Sequence, residues 1–156
     1  MMMFDPIGWV RAQRREADDD FWGGVECRIE LADGYGADAL QGIEEFSHAE
    51  ILFVFHHVDE RNVVRGARYP RNNPEWPRVG IFAQRAKNRP NRIGSTIVRI
   101  VRRDGCALTV AELDAVDGTP VLDIKPVMKE FLPRDEVRQP SWCGELMRRY
   151  WAKRAS

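Results

Sequence analysis

The sequence predicts a mainly β fold: a small single-domain β-barrel with short helices and a C-terminal helix. Short segments rich in β-branched and aromatic residues recur along the 156-residue chain, and turn residues separate them. Helical periodicity is scarce by comparison. The length is that of one ordinary domain, and a hydrophobic content of 44% is enough to build a core. We therefore expect residues 1–156 to form one domain.

The predicted strands begin with residues 24–31, where apolar and charged residues alternate as in a strand with one buried face. Residues 49–58 are apolar on both faces, which predicts a central strand. Asp104 and Gly105 lie between two later strands and predict a tight hairpin. The remaining predicted strands are residues 78–83, 93–101, 106–113 and 119–126.

Helical signals are confined to two segments. Residues 37–46 permit a short helix. Near the C-terminus, Ser141 is a suitable N-cap, and Trp142, Leu146 and Tyr150 follow at a spacing that places them on one helical face. This pattern predicts a C-terminal helix.

The charge and cysteine content exclude several classes of protein. Basic and acidic residues are balanced at 24 each, so a cationic loop is a local feature rather than part of a basic protein. The three cysteines are far apart and form no CxxC pair, which argues against a zinc site or a disulfide framework. The longest apolar run, residues 51–55, is too short to cross a membrane, and the N-terminal residues lack the pattern of a secretory signal. We therefore expect a soluble cytoplasmic protein without a metal.

The most unusual stretch is residues 85–94, RAKNRPNRIG, which carries four cations and no acid between two predicted strands. Pro90 fixes its own backbone and biases Arg89 towards an extended conformation, and the two asparagines can stiffen the turn. A rigid loop presenting Arg85, Arg89 and Arg92 suits an anionic ligand, because guanidinium groups bind carboxylate and phosphate bidentately. The alternative is an ordinary solvated face.

The segment before this loop adds aromatic residues. Residues 59–77 are polar and contain three prolines, which predicts a long loop of the kind that is often functional in compact domains. Trp76 and Phe82 lie close in sequence to the arginines, and arginine combined with aromatic rings is a common way to hold single-stranded RNA.

Two histidines, His56 and His57, end the predicted central strand and precede two acidic residues. Histidine and carboxylate ligands suit zinc or iron, but adjacent residues of a strand point to opposite faces, so the two imidazoles would diverge. We favour a histidine pair that forms hydrogen bonds at the mouth of a site. Structural histidines are the alternative.

Residues 34–39, GYGADA, match a dinucleotide-binding pattern after a predicted strand. That motif needs a helix N-terminus for the pyrophosphate and a full helix that crosses to a parallel strand. Here Gly42 interrupts the short helix, and no alternation of strands and helices follows. The segment is therefore interpreted as a turn that enters a short helix.

Residues 113–126, LDAVDGTPVLDIKP, form a second polar cluster in which acidic and apolar residues interleave. One interpretation is a β-turn with Asp117 and Gly118 at its corner. The other is a ligand loop, where the backbone of Gly118, Thr119 and Pro120 lets a flat ring approach and an aspartate binds ribose hydroxyls. The spacing does not choose between them.

Three stretches resemble the signature blocks of the TsaA-like family, whose characterised members are tRNA methyltransferases of the TrmO type. They are FSHAEILFVFH (46–56), GIFAQRAKNRPNRIG (80–94) and LDAVDGTPVLDIKP (113–126). Residues 7–11, IGWVR, resemble the first strand of the family. The similarity covers about residues 5–133, which are expected to form the barrel core.

The resemblance implies a small β-barrel that binds S-adenosylmethionine (SAM) and a homodimer with the cofactor site near the interface. It also implies methylation of N6 of threonylcarbamoyl-adenosine beside the tRNA anticodon. The threonyl carboxylate of that substrate is an anion next to the reacting nitrogen, and a rigid arginine loop would receive it. The nitrogen loses a proton, for which an aspartate or a histidine is a plausible base.

These implications name the candidate site residues. Arg85, Arg89 and Asp114 are the candidate catalytic residues. An aromatic face, Phe82 or Trp22, suits the cationic sulfur of SAM. The candidate cofactor-binding residues are His56, His57, Arg78, Phe82, Asp117, Gly118, Thr119 and Pro120.

The chain departs from the better-known family members at several points. It has Lys87 and Arg92 where they have small or apolar residues, and DDDFWGG at residues 18–24 where they have a segment rich in glycine and proline. A tail over residues 137–151, expected to be helical, replaces their C-terminal extension. Alternative functions of the same fold are methylation of another small nucleophile and non-catalytic SAM or RNA binding.

Overall fold

An antiparallel barrel of six strands dominates the structure, a computed structural model that describes residues 1–155. Within residues 1–155, the strands of the barrel and of a separate two-stranded sheet are, in chain order, β1 (Gly8–Arg11), β2 (Glu26–Leu31), β3 (His48–Val54), β4 (Ala67–Arg68), β5 (Val79–Gly80), β6 (Ile93–Asp104), β7 (Ala107–Ala111) and β8 (Pro120–Pro126). The barrel closes in the order β1-β2-β7-β6-β3-β8, and β4 and β5 pair separately. The predicted mainly β barrel is confirmed.

The barrel core follows from the alternation of apolar and charged residues along the strands. In β2, Cys27 and Ile29 are buried while Glu26 and Arg28 are exposed, as the sequence predicts. Burial raises the pKa of the Cys27 thiol to about 12, so this cysteine packs as an apolar residue. Other fully buried side chains of the core are Val10, Ile51, Phe53, Val98, Leu108, Val110, Leu113 and Val121.

The central strand is shorter than predicted. Residues 49–58 were expected to be extended, but β3 ends at Val54. Its partner β6 begins at Ile93, opposite Val54, because Asn91 and Arg92 have left-handed backbones (φ 63° and 52°) that cannot continue a strand. The histidine pair therefore lies in a turn after β3 rather than within it.

The helices are also shorter than predicted. Segments of 3₁₀-helix span Ala37–Leu40, Ile43–Glu45, Glu60–Asn62, Pro70–Asn72, Ile81–Ala83, Pro90–Arg92 and Lys129–Phe131. The predicted helix over residues 37–46 is divided at Gly42, whose backbone is left-handed (φ 87°). Likewise, the predicted strand over residues 78–83 forms only β5 before the chain turns into a 3₁₀-helix.

The predicted helical tail over residues 137–151 forms a helix only in α1 (Ser141–Leu146). Pro140 is the N-cap residue, so Ser141 lies inside the helix rather than capping it. Tyr150 lies beyond the helix, because the backbone of residues 149–152 pairs with residues 21–23 instead. Within residues 1–155, no helix is both long enough and apolar enough to cross a membrane.

The antiparallel order brings three connections, including the longest one, to one end of the barrel. Residues 12–25 join β1 to β2, residues 55–92 join β3 to β6, and residues 112–119 join β7 to β8. We call this the long-loop end. The opposite end holds the Asp104-Gly105 hairpin, which the pairing of β6 with β7 confirms.

A glycine at the start of β6 allows two phenylalanine rings to pack at the long-loop end. Phe53 and Phe55 meet edge to face with ring centroids 5.4 Å apart. A β-carbon at Gly94 would lie 2.6 Å from the Phe53 ring and 2.8 Å from the Phe55 ring. Phe53 is fully buried, so its ring is enclosed by close-packed neighbours.

We expect Gly94→Ala to destabilise the protein by roughly 1–3 kcal/mol, the usual cost of overpacking a core. Gly80→Ala is the matched control, since a β-carbon at Gly80 would meet no atom within 4 Å and its φ of −61° is ordinary. Urea unfolding of both variants measures the difference. Equal midpoints for the two variants would show that the phenylalanine pair tolerates the added carbon.

Candidate functional site

Most of the sequence-predicted residues meet at the long-loop end of the barrel. His56 and His57 follow β3, Arg85 and Arg89 precede β6, and residues 112–119 connect β7 to β8. Because these strand ends are neighbours in the closed barrel, segments that are distant in sequence converge here. Such convergence of loops at one end of a barrel is a common setting for a site.

The histidine pair contacts the loop that contains Gly118. The two imidazole rings lie with their centroids 4.0 Å apart at an angle of 48°. Gly118 has a left-handed backbone (φ 81°), and the position of a β-carbon there lies 3.8 Å from His56 Nε2. The absence of a side chain at Gly118 therefore leaves the edge of the His56 ring open.

His56 is half-buried, and its surroundings favour the neutral imidazole. Burial lowers the pKa of His56 from its usual value of 6.5, and the neighbouring charge of His57 lowers it further. At neutral pH, the His56 ring therefore offers one hydrogen-bond donor and one acceptor.

Two other residues of the same loop are used to hold its shape. Asp117 accepts a hydrogen bond from the Ala12 N–H at 3.0 Å, which ties the loop to the end of β1. Thr119 is buried, and its hydroxyl donates to the Val116 carbonyl at 2.7 Å. Pro120 begins β8 and lies opposite Trp9. The open part of the loop is therefore the backbone around Gly118.

Asp114 is the centre of a hydrogen-bond network at the same end. Its Oδ1 accepts from the Thr96 hydroxyl at 2.5 Å, and its Oδ2 accepts from the Tyr150 hydroxyl. Thr96 lies on β6, whereas Tyr150 comes from the C-terminal tail. Sequence reasoning missed both partners: Thr96 gave no signal within its strand, and Tyr150 was read only as part of an apolar helical face.

The arginines of residues 85–94 have different roles in the structure. Arg85 is exposed and donates to the Ser95 carbonyl at 2.5 Å, next to Thr96 in the chain. Arg89 is half-buried and donates to the Gln84 carbonyl of its own loop at 2.6 Å. Arg89 therefore shapes the loop, while Arg85 retains most of its guanidinium for other partners.

Arg92 also bonds to the protein itself. Its guanidinium donates to the Val58 carbonyl at 2.7 Å, which ties the cationic loop to the turn that contains the histidine pair. This bond joins two of the converging segments directly. The sequence pattern alone presented Arg92 as a third exposed cation.

Three further predicted residues lie apart from these contacts. Arg78 is exposed and makes no ion pair or side-chain hydrogen bond within residues 1–155. Phe82 projects from the molecule with 76% of its surface exposed. Trp22, considered as an aromatic face for SAM, is only 3% exposed and is covered by the Arg14 guanidinium, 3.6 Å from the ring centroid. Of these aromatic candidates, Phe82 has the accessible ring.

Within the described part of the chain, residues 1–155, no group of three or more histidine, cysteine, aspartate or glutamate residues is arranged to hold a metal ion.

Sequence comparison places most of the chain in one known family. The tRNA-methyltransferase O N-terminal domain matches residues 17–131. A probable S-adenosyl-L-methionine-binding protein of Pyrococcus abyssi (strain GE5 / Orsay) is 37% identical over 147 residues. The aligned region covers 88% of this chain and 74% of that protein. The tRNA (adenine(37)-N6)-methyltransferase of Escherichia coli (strain K12) is 46% identical over 106 residues, covering 62% of this chain and 43% of its own length.

Structural comparison agrees with the sequence. The crystal structure of TrmO from Pseudomonas aeruginosa superimposes with a TM-score of 0.69 at 29% identity, over 88% of this chain and 61% of that chain. The chain thus spans less than half of the Escherichia coli enzyme and about three fifths of the Pseudomonas aeruginosa protein. From the matched domain, the sequence identities and the shared barrel, we conclude that the chain belongs to the tRNA-methyltransferase O family.

Proposed function

We propose that this protein is a SAM-dependent methyltransferase that methylates N6 of threonylcarbamoyl-adenosine next to the tRNA anticodon. One observation carries the proposal: His56 and Arg85 from the connection over residues 55–92 meet Asp114 and Gly118 from the connection over residues 112–119 at the long-loop end. The family relatives named as tRNA (adenine(37)-N6)-methyltransferases support the reaction. With tRNA as the substrate, we expect the protein to act in the cytoplasm.

The residues around Gly118 suit the binding of SAM. The open backbone at Gly118 permits close approach of a flat adenine ring, and the neutral His56 offers both a donor and an acceptor beside it. The exposed ring of Phe82 is available to a cationic sulfonium. We include His57, Arg78, Asp117, Thr119 and Pro120 in the cofactor-binding region, with Asp117 and Thr119 acting by holding the loop. SAM supplies an electrophilic methyl carbon.

Asp114 is the proposed acceptor for the proton that N6 loses. A carboxylate has about four lone-pair sites, so hydrogen bonds from Thr96 and Tyr150 leave Asp114 with acceptor capacity. Its half-buried position limits the water around it. Positioning supplies most of the rate in a methyl transfer, and a fixed carboxylate serves that requirement.

Arg85 is the proposed clamp for the substrate carboxylate, and Arg89 holds the loop that presents it. The Arg85 side chain is exposed and makes no ion pair within residues 1–155. A carboxylate or phosphate would complete its hydrogen bonding in bidentate geometry. Arg89, by contrast, already donates to carbonyl oxygens of its own loop.

We also propose a homodimer. Large apolar side chains are exposed at Phe82, Ile97, Phe131 and Val137, with exposed fractions of 76%, 48%, 86% and 68%. A second copy of the chain would cover such surface. Sedimentation with SAM at micromolar concentration tests this, and a monomer would contradict it.

The central experiment incubates the protein with radiolabelled SAM and tRNA from cells that lack the protein, followed by nucleoside analysis. We expect label on a methylated threonylcarbamoyl-adenosine. Calorimetry with SAM is run in parallel. SAM binding without label in tRNA would contradict the proposed reaction and favour a non-catalytic module or a different nucleophile.

Gly118→Ala tests the cofactor region, because its β-carbon would fill the space beside His56. The control is Gly34→Ala: Gly34 is also left-handed (φ 102°), but lies after β2 at the opposite end, with no atom within 4 Å of the added carbon. We expect both variants to lose stability by about 1 kcal/mol, the cost of an alanine in this conformation. Only Gly118→Ala should lose SAM affinity by about tenfold or more in calorimetry. An equal affinity in both variants would contradict the assignment.

Arg85→Lys tests the clamp, since lysine keeps the charge but loses the bidentate fork. We expect methyl transfer to tRNA to fall by about tenfold, which corresponds to about 1.4 kcal/mol, at an unchanged melting temperature. Arg102→Lys is the control, because Arg102 is an exposed arginine of β6 that lies two residues before Asp104, near the hairpin at the opposite end. We expect Arg89→Lys to lower both the methyl transfer and the melting temperature, because Arg89 holds its own loop. Wild-type turnover in Arg85→Lys would rule out the clamp.

A further inference from the structure

The end of the chain folds back onto the long-loop end. Three backbone N–H groups in residues 21–23 donate to carbonyl oxygens in residues 149–152 at distances of 2.8 to 3.2 Å. Gly23 packs directly on this backbone, since a β-carbon there would lie 2.0 Å from the Trp151 carbonyl oxygen. A side chain at this position would displace the tail, so the sequence at residue 23 is adapted to this contact.

Side-chain contacts also connect the C-terminal residues to two loops. Trp76 Nε1 donates to Glu145 at 2.7 Å, which connects the loop over residues 55–92 to α1. Arg154 pairs with Asp18 at 3.3 Å. Residues 145–154, which we call the C-terminal segment, therefore contact the long connections that surround the proposed site.

Tyr150 is the residue of the C-terminal segment that reaches the site itself. Its hydroxyl donates to Asp114 Oδ2, while Thr96 donates to Oδ1. Donors from two different elements thus engage both oxygens of one carboxylate, which restricts rotation of the Asp114 side chain. Burial, and next the negative charge of Asp114, raise the pKa of Tyr150, so the hydroxyl stays protonated and remains a donor. Arg85 and Arg71 lie near enough to oppose this rise.

We propose that Tyr150 is a positioning residue for the methyl transfer, which holds the Asp114 carboxylate in place from the C-terminal segment. This inference rests on the proposed function of Asp114. Tyr150 lies outside residues 17–131, the part of the chain that matches the family domain. The site of this protein is therefore completed by a segment that the family domain does not include.

The main test is Tyr150→Phe, which keeps the ring and removes only the donor. We expect kcat for methyl transfer to tRNA to fall by about tenfold, with KM for tRNA and the Kd for SAM changed less than about twofold, because the carboxylate is misplaced while the binding surfaces remain. The control is Tyr35→Phe, since Tyr35 is exposed at the opposite end and its hydroxyl has no partner within residues 1–155. Unchanged kcat in Tyr150→Phe would overturn the proposal. A higher kcat would also overturn it, and would show instead that the C-terminal segment blocks the site.

A readout without turnover separates this proposal from the proposed function. The unfolding free energies of Tyr150→Phe, Asp114→Asn and the double variant form a cycle, and we expect the double variant to lose less than the sum of the single losses. If wild-type protein transfers no methyl group to tRNA, the proposed function fails. A non-additive cycle would then still support the Tyr150–Asp114 pair, whereas an additive cycle would overturn it.

The pH dependence of stability gives an independent check of the pair. A tyrosine whose folded pKa is raised contributes stability below its unfolded pKa of about 10 and loses that contribution as the pH rises above this value. The unfolding equilibrium constant of wild type relative to Tyr150→Phe should therefore rise by up to about tenfold per pH unit above about pH 10. A ratio that stays constant with pH would show that the hydroxyl is neither buried nor held by Asp114.

Discussion

The barrel depends on the double pairing of β6. The first part of this 12-residue strand pairs with β3 and the second part pairs with β7, so β6 joins the two edges of the sheet formed by the other five strands and closes the barrel. The β3 pairing stops where the left-handed backbones of Asn91 and Arg92 begin. This stop releases the turn with the histidine pair and defines the edge of the long-loop end. Closure of the barrel and placement of the site are thus consequences of the same strand.

The arginines of the cationic loop, residues 85–94, have different roles in the structure. Arg89 and Arg92 donate to backbone carbonyls and hold the loop against its neighbours, whereas Arg85 remains exposed. Positive φ angles at non-glycine residues are uncommon, and here they coincide with a loop fastened by its own arginines. These contacts restrict the backbone of the loop that carries Arg85. Stiffness of this kind reduces the entropy lost when a ligand binds.

Two segments that are far apart in the sequence, residues 18–24 and the C-terminal segment, contact each other. Residues 18–24 carry the glycine and the acidic group that receive the C-terminal segment, and Tyr150 then extends to Asp114. Arg14 supports the same region by stacking on Trp22 and donating to carbonyl oxygens of residues 18–21. The two segments thus form one structural feature, and Trp22, an expected aromatic face for SAM, is buried within it.

The sequence by itself determined the β-barrel class, the hairpin at Asp104 and Gly105 and the buried face of β2, because period-two alternation and turn residues are local properties. It also indicated the polar stretches that meet at the long-loop end. The candidate site residues came from the polar segments at strand ends and from the family resemblance, and their roles stay predictions. Only the tertiary structure decided which side chains of those stretches are free. Barrel closure brings the Ala12 N–H to Asp117, whereas Thr119 and Arg89 donate to carbonyls of their own loops. Thr96 and Tyr150 join Asp114 from 18 and 36 residues away. Hydrogen bonds between distant segments depend on how the strands are ordered around the barrel, and that order is not encoded in any local pattern.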